Sequence, residues 1–443
     1  MKNDCAERSL MGRLIIFYWV IRIFKPEWII AYYIPSLGFI KGIPTLFILS
    51  ILIGILIGNK RIRWEWGIGS FLIIAAISAV FSTNRGISIQ IVRGLVETFI
   101  LATATITYIS TEKNIRKIFT IYLFAFIFFG IWGILGNGKI MAFMPLNNED
   151  AFGPFMCMGI SMNHFISLSE QKWKRKALWI GQNVCILGTA VSFARGTFLA
   201  FTGVIIYMLL RTRGKKGLIL QMIVLGIIGI SLISYFDPSF IKNYRAEVSS
   251  IWEEGIKEQT AKDRIYLWTK GLEMFWDKTF MGVGPGCYSF QLPRYTTQRE
   301  AEEWGVNTQI FGRHIHNIFL QIMAEMGIFG IAGLLVILIN FKVRTNSLIR
   351  VKRIRFSENK GNNNNYVEGA IRNYRFWGLA LEGGMVGYLI NSLFYNLLFF
   401  TWLWDLIILN AILFNFNKEF RRLLIREEPE FPEVYDNGNK LVN

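Results

Sequence analysis

The sequence is short of charged residues, histidine and cysteine, and each shortage narrows what the protein can be. Only 18% of its 443 residues are charged, whereas 53% are hydrophobic, and a soluble domain would carry more charge than this. The chain has three histidines and four cysteines, without a CxxC or HExxH pattern. No known metal-binding motif is therefore present, and no carboxylate cluster suggests a metal.

What the chain has instead is long apolar runs, such as LFILSILIGILIG (46–58) and IYLFAFIFFGIWGIL (121–135). A bilayer core needs about 20 mostly apolar residues per helix. The runs predict an all-α polytopic membrane protein with about 12 transmembrane helices. We place these spans near 27–40, 43–58, 68–82, 89–109, 117–136, 152–169, 177–193, 196–210, 217–235, 317–341, 374–395 and 399–416. The stretch 10–24 contains Arg13 and Arg22, so it is expected to be an interfacial helix or a lead-in to the first span.

Short basic clusters separate the apolar runs and alternate along the chain, for example NKRIR (59–63), KNIRK (113–117), KWKRK (172–176) and RTRGKK (211–216). Lys and Arg are enriched in cytoplasmic loops, so the alternation predicts a cytoplasmic membrane protein with both termini in the cytoplasm. The net charge of +17 is thereby explained by topology. No basic face with interleaved aromatics indicates nucleic acid as a partner, whereas the lipid bilayer is an expected one.

The predicted organisation has four parts: an N-terminal bundle (1–235, spans 1–9), an extracytoplasmic loop with catalytic elements (236–316), three further spans (317–416) and a cytoplasmic tail (417–443). The loop holds ten Lys and Arg against eleven Asp and Glu. A structureless loop of this length would be unusual, so helices are expected in IKNYRAEVSSIWEEGIKE and DRIYLWTKGLEMFWD. GVGPGC (282–287) has no preceding strand and is interpreted as a tight turn rather than a phosphate loop. Cys287 is the lone outer cysteine, which cannot form an intrachain disulfide.

Four polar residues stand out near the predicted outer face. His314 and His316 come directly before an apolar run, and Arg195 lies between two runs in VSFARGTFLAF. Arg264 opens the segment DRIYLWTKGL. Imidazole titrates near neutral pH and can act as a general base, and an arginine at a helix end beside a bilayer can bind an anion. The alternatives are polar anchors for the histidines, a snorkelling Arg195 and an ordinary surface Arg264.

In their order along the chain, these residues resemble the O-antigen ligase superfamily, which includes O-antigen ligases, oligosaccharide polymerases and protein O-oligosaccharyltransferases. The resemblance rests on the arginines of SFARG and DRIYLW, the glycines of GVGPG, and an HN pair followed by nine residues and a glycine. These positions are Arg195, Arg264, Gly282, Gly284, Gly286, His316, Asn317 and Gly327. One departure is that Ile331 stands where the family signature often has a small residue or tyrosine.

The resemblance implies a glycosyltransferase that moves a glycan from an undecaprenyl-pyrophosphate carrier to a glycan, lipid or protein acceptor. It implies that His316 is the catalytic base and that Arg195 and Arg264 hold the donor pyrophosphate. Asn317 would orient the imidazole or the helix start. His314 is the second choice as catalytic residue, or a substrate contact. Because the leaving group is already activated, no metal or other cofactor is expected, and attack opposite the leaving group predicts inversion.

Three alternative functions stay open at this point. A polysaccharide polymerase would use the same chemistry with another lipid-linked glycan as the acceptor. A polysaccharide flippase or transporter would show repeated halves and charged groups at mid-membrane, whereas the unusual residues here cluster at one face. A structural scaffold of the cell envelope would require none of the arginines and histidines above.

Overall fold

Why the helices begin and end where they do is visible in the local sequence. The computed structural model describes residues 2–58, 60–192, 194–212, 217, 259–305, 312–350, 361–396, 398 and 400–426. These residues form helices and connecting turns, with no strand among them. Asn84, Thr111 and Asn148 each accept a hydrogen bond from a backbone N–H of the first helical turn, which is how short polar side chains start helices.

The helices of the first half of the chain are α1 (Lys2–Phe24), α2 (Pro26–Tyr33), α3 (Ile43–Ile57), α4 (Trp66–Val80), α5 (Arg85–Tyr108), α6 (Glu112–Leu135), α7 (Glu149–Ser167), α8 (Lys172–Val191) and α9 (Arg195–Arg211). The second half contains α10 (Gln259–Asp277), α11 (Tyr288–Gln291), α12 (Gln298–Glu303), α13 (Ile318–Ile349), α14 (Gly361–Asn391) and α15 (Thr401–Arg426). Three short 3-10 helices connect some of them: Pro35–Gly42, Met144–Leu146 and Leu292–Arg294.

Four helical stretches of the described chain are long and apolar enough to cross a membrane: Pro35–Ile57, Arg85–Tyr108, Glu112–Leu135 and Ile318–Ile349. Trp66–Val80 is a shorter apolar helix. The all-α fold and the membrane character predicted from the apolar runs are thus confirmed. The predicted ninth span (217–235), the first predicted loop helix and the end of the tail lie outside the described residues, apart from residue 217.

The N-terminal region differs from the prediction. The segment 27–40 is not one span, because α2 ends at Tyr33 and Ile34 has the non-helical angles φ −130° and ψ 81°. The chain then continues as the 3-10 helix Pro35–Gly42. Helix α1 packs into the main core instead, where Ile15 and Trp19 are fully buried. An interfacial placement of 10–24 does not fit this burial.

A charged network in the interior of the bundle accompanies α1. Arg22 is 8% exposed, and its Nε donates to Asp405 Oδ1 at 2.7 Å while Nη2 donates to Thr98 at 3.3 Å. Tyr122 donates to the other oxygen of Asp405. The expectation that unusual residues cluster at one face is therefore wrong for this pair. Asp405 lies 383 residues after Arg22, so the sequence pattern could not show that the two side chains meet.

A second, smaller core lies under the segment 259–316 and covers one end of the bundle. Its buried residues include Leu267, Met274, Tyr288 and Ile315, which come from α10, α11 and the segment before α13. We call the described residues 259–305 and 312–316 the loop layer. The helix predicted in DRIYLWTKGLEMFWD is confirmed as α10. The loop layer therefore has its own apolar core, which holds its polar side chains in place.

Candidate active site

The start of α13 is fixed by Asn317. Its Oδ1 accepts hydrogen bonds from the backbone N–H groups of Phe319 at 2.9 Å and Leu320 at 3.1 Å. Its Nδ2 donates to the carbonyl of Leu393 at 3.3 Å, in the turn that follows α14. Of the two roles considered for Asn317, the structure shows the helix-start role, since an N-cap residue satisfies the open N–H groups of the first turn.

His316 lies immediately before this cap in an unusual backbone conformation. Its φ is 55°, in the left-handed region that non-glycine residues rarely adopt. The ring centroid is 6.0 Å from that of Tyr395, and Nδ1 is buried with no hydrogen-bond partner among the described residues. Such backbone strain persists only where the surrounding structure imposes it, and it is often found at functional sites.

Burial and neighbouring cations keep the His316 imidazole neutral. Removal from water and the positive charges of Arg264, His314 and Arg313 lower its pKa from 6.5 to about 4. Arg264 is therefore close enough to His316 to act on it electrostatically. The same guanidinium attracts the carboxylate of Asp150 at the start of α7. Arg264 is half-buried and lies on a helix that contacts the histidine segment, so its role as a donor-binding residue stays a prediction.

Helix α10 is attached to the histidine segment on either side of His314. Asp263, next to Arg264, forms an ion pair of 2.5 Å with Arg313. One turn further along α10, Trp268 Nε1 donates to the carbonyl of Ile315 at 2.9 Å. These two contacts set where Arg264 stands relative to His316.

Arg195 is the first residue of α9 and is half-buried. A Cβ on its neighbour Gly196 would lie 2.7 Å from Cβ of Phe394, so the start of α9 touches the turn after α14. That turn continues to Tyr395, whose ring lies beside His316. The first turn of α9 therefore reaches the same end of the bundle as the histidine.

His314 occupies a different position from His316. It is exposed, and its Nδ1 shares a hydrogen bond of 3.1 Å with the hydroxyl of Ser289 at α11. One residue separates the two histidines, and Ile315 between them is buried in the loop-layer core. The buried side chain of Ile315 fixes the segment, so the two imidazoles have different surroundings.

The glycines of GVGPG make a tight turn against α13. Gly282, Gly284 and Gly286 all have positive φ. A Cβ on Gly282 would fall 2.2 Å from the carbonyl carbon of Glu325, so only glycine fits this approach. The turn donates its N–H groups to α13: Val283 N to Ala324 O and Gly284 N to Glu325 O, both at 2.9 Å. Because these N–H groups are used, the turn interpretation holds over the phosphate-loop one.

Gly327 is the counterpart of this turn on α13. It breaks the helix with φ 65° and ψ −157°, and a Cβ there would lie 2.4 Å from the carbonyl of Phe280. Ile328 N donates to Thr279 O at 2.8 Å. The two glycine motifs, 40 residues apart in the chain, therefore fit against each other at one contact.

Several residues of this region were not found from the sequence. Tyr395 and Asn148, which share a hydrogen bond of 2.8 Å, come from segments without a motif. Asp150 was hidden in the polar stretch before a predicted span. Arg313 adjoins the histidines, and its position in GRHIHN is a signal that could have been used. Among the described residues, no three His, Cys, Asp or Glu side chains are grouped so that they could hold a metal ion.

Comparison with known families bears directly on this arrangement. Residues 184–335 match the family described as O-antigen ligase. The match supports membership of the O-antigen ligase superfamily. No curated protein matches the chain. The matched segment is about a third of the chain and includes Arg195, Arg264, His314, His316 and both glycine motifs.

The family that the segment 184–335 matches gives the described geometry a chemical context. The family implies a membrane glycosyltransferase-type enzyme with lipid-linked glycans as substrates. The matched segment also contains the helix starts of α9 and α13 and the whole of α10. Asp150 and Tyr395 lie outside the match, so the site is completed by helices that the family comparison does not cover.

Proposed function

We propose that the protein transfers a glycan from an undecaprenyl-pyrophosphate carrier to an acceptor hydroxyl at the outer face of the cytoplasmic membrane. The observation that supports this most is that helix α10, which carries Arg264, is attached on either side of His314, by the Asp263–Arg313 ion pair and by the hydrogen bond from Trp268 to Ile315. The positive charge of Arg264 is also among the causes that lower the pKa of His316. An always-charged guanidinium suits a pyrophosphate, and a neutral imidazole suits a hydroxyl proton. One site with both groups serves a reaction in which a phosphate leaves as a hydroxyl attacks.

The proposed transfer uses His316 as the base and the two arginines as the groups that stabilise the leaving pyrophosphate. A nitrogen of His316 takes the proton of the acceptor hydroxyl, and the acceptor oxygen forms a bond to the anomeric carbon. The bond from that carbon to the pyrophosphate oxygen breaks, and its electron pair leaves with undecaprenyl pyrophosphate. Arg195 and Arg264 stabilise the charge on the leaving group. Attack from the opposite side inverts the anomeric carbon, and His316 then releases its proton to water.

The low pKa of His316 has a consequence for this step. A base with a pKa of about 4 is neutral at neutral pH but only weakly basic. Binding of an anionic donor beside Arg264 places negative charge near the imidazole and raises its pKa. Donor binding thereby makes the imidazole a stronger base, whereas in the enzyme without donor the imidazole stays neutral, with one ring nitrogen able to accept a proton.

The membrane topology forms part of the proposal. About 12 spans, cytoplasmic termini and an outer loop layer would put the site where a lipid-linked donor and an outer acceptor meet. The motive is the alternation of basic clusters. Cysteines introduced singly into a cysteine-free protein and labelled with an impermeant reagent test it. Position 262 should label from outside in intact cells, and position 174 should label only after lysis; the reverse pattern would reject this topology.

The decisive experiment is reconstitution in vesicles with native undecaprenyl-linked glycan and candidate acceptors, followed by mass spectrometry. The product should carry the glycan with inverted anomeric configuration. A second candidate, a polymerase, has the same site, and it would extend one lipid-linked glycan on another without a separate acceptor. If vesicles move the lipid-linked glycan across the bilayer without forming a new glycosidic bond, the protein is a transporter and the proposal fails.

A further inference from the structure

Glu325 is a buried carboxylate on α13, two residues before the break at Gly327. It is 2% exposed, and every contact of its two oxygens is with a hydrogen-bond donor. Oε2 accepts from the backbone N–H of Gly286 at 2.8 Å, and Oε1 accepts from that of Tyr288 at 3.3 Å. Gln321 Nε2 donates to both oxygens at 3.3 Å. A carboxylate fits here because it offers two acceptors and no donor.

The backbone of the same residue contacts two further segments. Its carbonyl accepts from Gly284 N at 2.9 Å and from the hydroxyl of Ser78, at the end of α4, at 3.2 Å. Glu325 therefore joins α13, the GVGPGC turn and α4. Outside its own helix, the hydrogen bonds of the side chain are with the turn and the first residue of α11, which restricts what its replacement should change.

Helix α11 transmits this attachment to the candidate active site. Tyr288, held at its N–H by Glu325, donates its hydroxyl to the carbonyl of Leu267 at 2.7 Å, one turn along α10 from Arg264. Ser289 shares its hydrogen bond with His314. A continuous series of contacts thus leads from the Glu325 carboxylate to the arginine helix and to the histidine segment.

We propose that Glu325 is a positioning residue that sets the distance between Arg264 and His316 by holding the glycine turn through Gly286 N–H and α11 through Tyr288 N–H. This inference rests on the proposed function, because the distance matters for holding the donor pyrophosphate beside the base. Glu325→Gln keeps the shape but turns an amide N–H₂ toward one of the two N–H donors. The turn and α11 must then shift, and Arg264 shifts with them.

The test compares Glu325→Gln with a matched control, Glu382→Gln. Glu382 is 6% exposed and accepts from Tyr207 at 2.7 Å, from Arg211 at 3.4 Å and from Lys342. None of these donors belongs to the loop layer. A displacement of about 1 Å at a reacting centre can cost about 10²-fold in rate. We expect Glu325→Gln to raise KM for the donor and to lower kcat/KM by about 10- to 100-fold per folded molecule. Glu382→Gln should leave both unchanged per folded molecule.

Tyr288→Phe provides a second variant, because it removes only the hydroxyl that reaches Leu267. If Glu325 acts through α11, the combined variant should lose little more than Glu325→Gln alone, since both changes interrupt one route. Losses that multiply would mean separate routes and would overturn the proposed coupling. A Glu325→Gln protein with wild-type KM and kcat per folded molecule would show that the carboxylate serves folding only.

Amide hydrogen exchange gives a readout that does not depend on transfer activity. Glu325→Gln should lose protection in the peptide 282–291 and in α10, and Glu382→Gln should not. If the wild-type protein fails to transfer glycan while Glu325→Gln shows this loss, the proposed function fails and the positioning contact stands. If wild-type protein transfers glycan and exchange in α10 is unchanged by Glu325→Gln, the positioning inference fails and the function stands.

Discussion

Arg22 and Arg264 differ in whether a carboxylate side chain forms an ion pair with them. Arg22 lies in the bundle interior and is matched by Asp405, which also accepts from Tyr122. Arg264 lies at the candidate active site and, among the described residues, has no carboxylate at hydrogen-bond distance; Asp150 attracts it only through space. The charge of Arg22 is thus balanced inside the bundle, and in our proposal the charge of Arg264 is balanced by the donor pyrophosphate.

The comparison shows how burial alone fails to identify function. Taking two charges out of water is costly, and a buried pair survives only with good geometry and further hydrogen bonds, which Arg22 and Asp405 have. Arg264 is half-buried, and among the residues that the structure describes no carboxylate lies at hydrogen-bond distance from it. The incomplete compensation of Arg264, rather than its charge, is the feature that indicates a binding site.

The largest expected effect is at the base. His316→Ala should lower kcat by about 10²- to 10⁴-fold, because general-base assistance is typically worth that much. His314→Ala should cost far less, because its hydrogen bond is to Ser289 and not to a reacting group in the proposal. Transfer is measured in membranes with matched expression. Near-full activity of His316→Ala, or inactivity of His314→Ala alone, would place the base elsewhere.

Lysine replacements sharpen the comparison of the two arginines. Arg264→Lys keeps the charge but loses the planar fork that matches a pyrophosphate, so donor KM should rise by about 10-fold with thermal stability unchanged. Arg195→Lys should likewise raise the donor KM and leave thermal stability unchanged. Arg22→Ala leaves Asp405 as an unpaired interior charge and should cost about 3–5 kcal/mol of stability with donor KM unchanged per folded molecule. A stability loss for Arg264→Lys, or a change in donor KM for Arg22→Ala, would contradict the assignment of Arg264 to donor binding and of Arg22 to stability.

The pH dependence should separate the empty from the donor-bound site. The folded pKa of His316, about 4, is below its unfolded value, so the resulting stability is present above about pH 6.5 and is lost as pH falls toward 4. For the free enzyme, kcat/KM should therefore stay flat down to about pH 5. Donor charge raises the pKa, so kcat should begin to fall at a higher pH than kcat/KM. If kcat and kcat/KM fall at the same acidic pH, the donor does not raise the pKa of the base.

The smallest expected effect is that of metal removal. In our proposal the arginines supply the positive charge for the pyrophosphate, and the described residues contain no group of metal-ligating side chains. Chelation with EDTA should leave the transfer rate within about 2-fold of the untreated value, well below the 10²-fold scale of general-base loss. Activity abolished by EDTA and restored by magnesium or manganese would contradict this prediction.

Most of the helical bundle but only part of the candidate site could be predicted from the sequence. Features that depend on local sequence were predicted, and features that depend on contacts between distant segments were not. Apolar runs are local signals, so α3 to α9 fall close to the predicted spans. The structure of α1 depends on Asp405, which no local pattern reveals. His316 and Arg264 were found through motifs. Tyr395, Asp150 and Glu325 owe their roles to contacts between distant segments, which a single sequence does not display.

The break at Gly327 divides α13 into a short first part, Ile318 to Met326, and a long second part that begins at Ile328. From Ile328 to Ile349 it is about 33 Å long at 1.5 Å per residue, enough on its own for a hydrocarbon core of about 30 Å. We expect the nine residues before the break to lie above the acyl chains, where the glycine contact attaches them to the loop layer. The part of α13 after Gly327 should then adjust to a change in bilayer thickness, and the candidate site should keep its distance from the membrane surface. Transfer rates in vesicles of shorter and longer acyl chains should accordingly differ little, and a steep dependence on bilayer thickness would show that the whole helix moves as one rod.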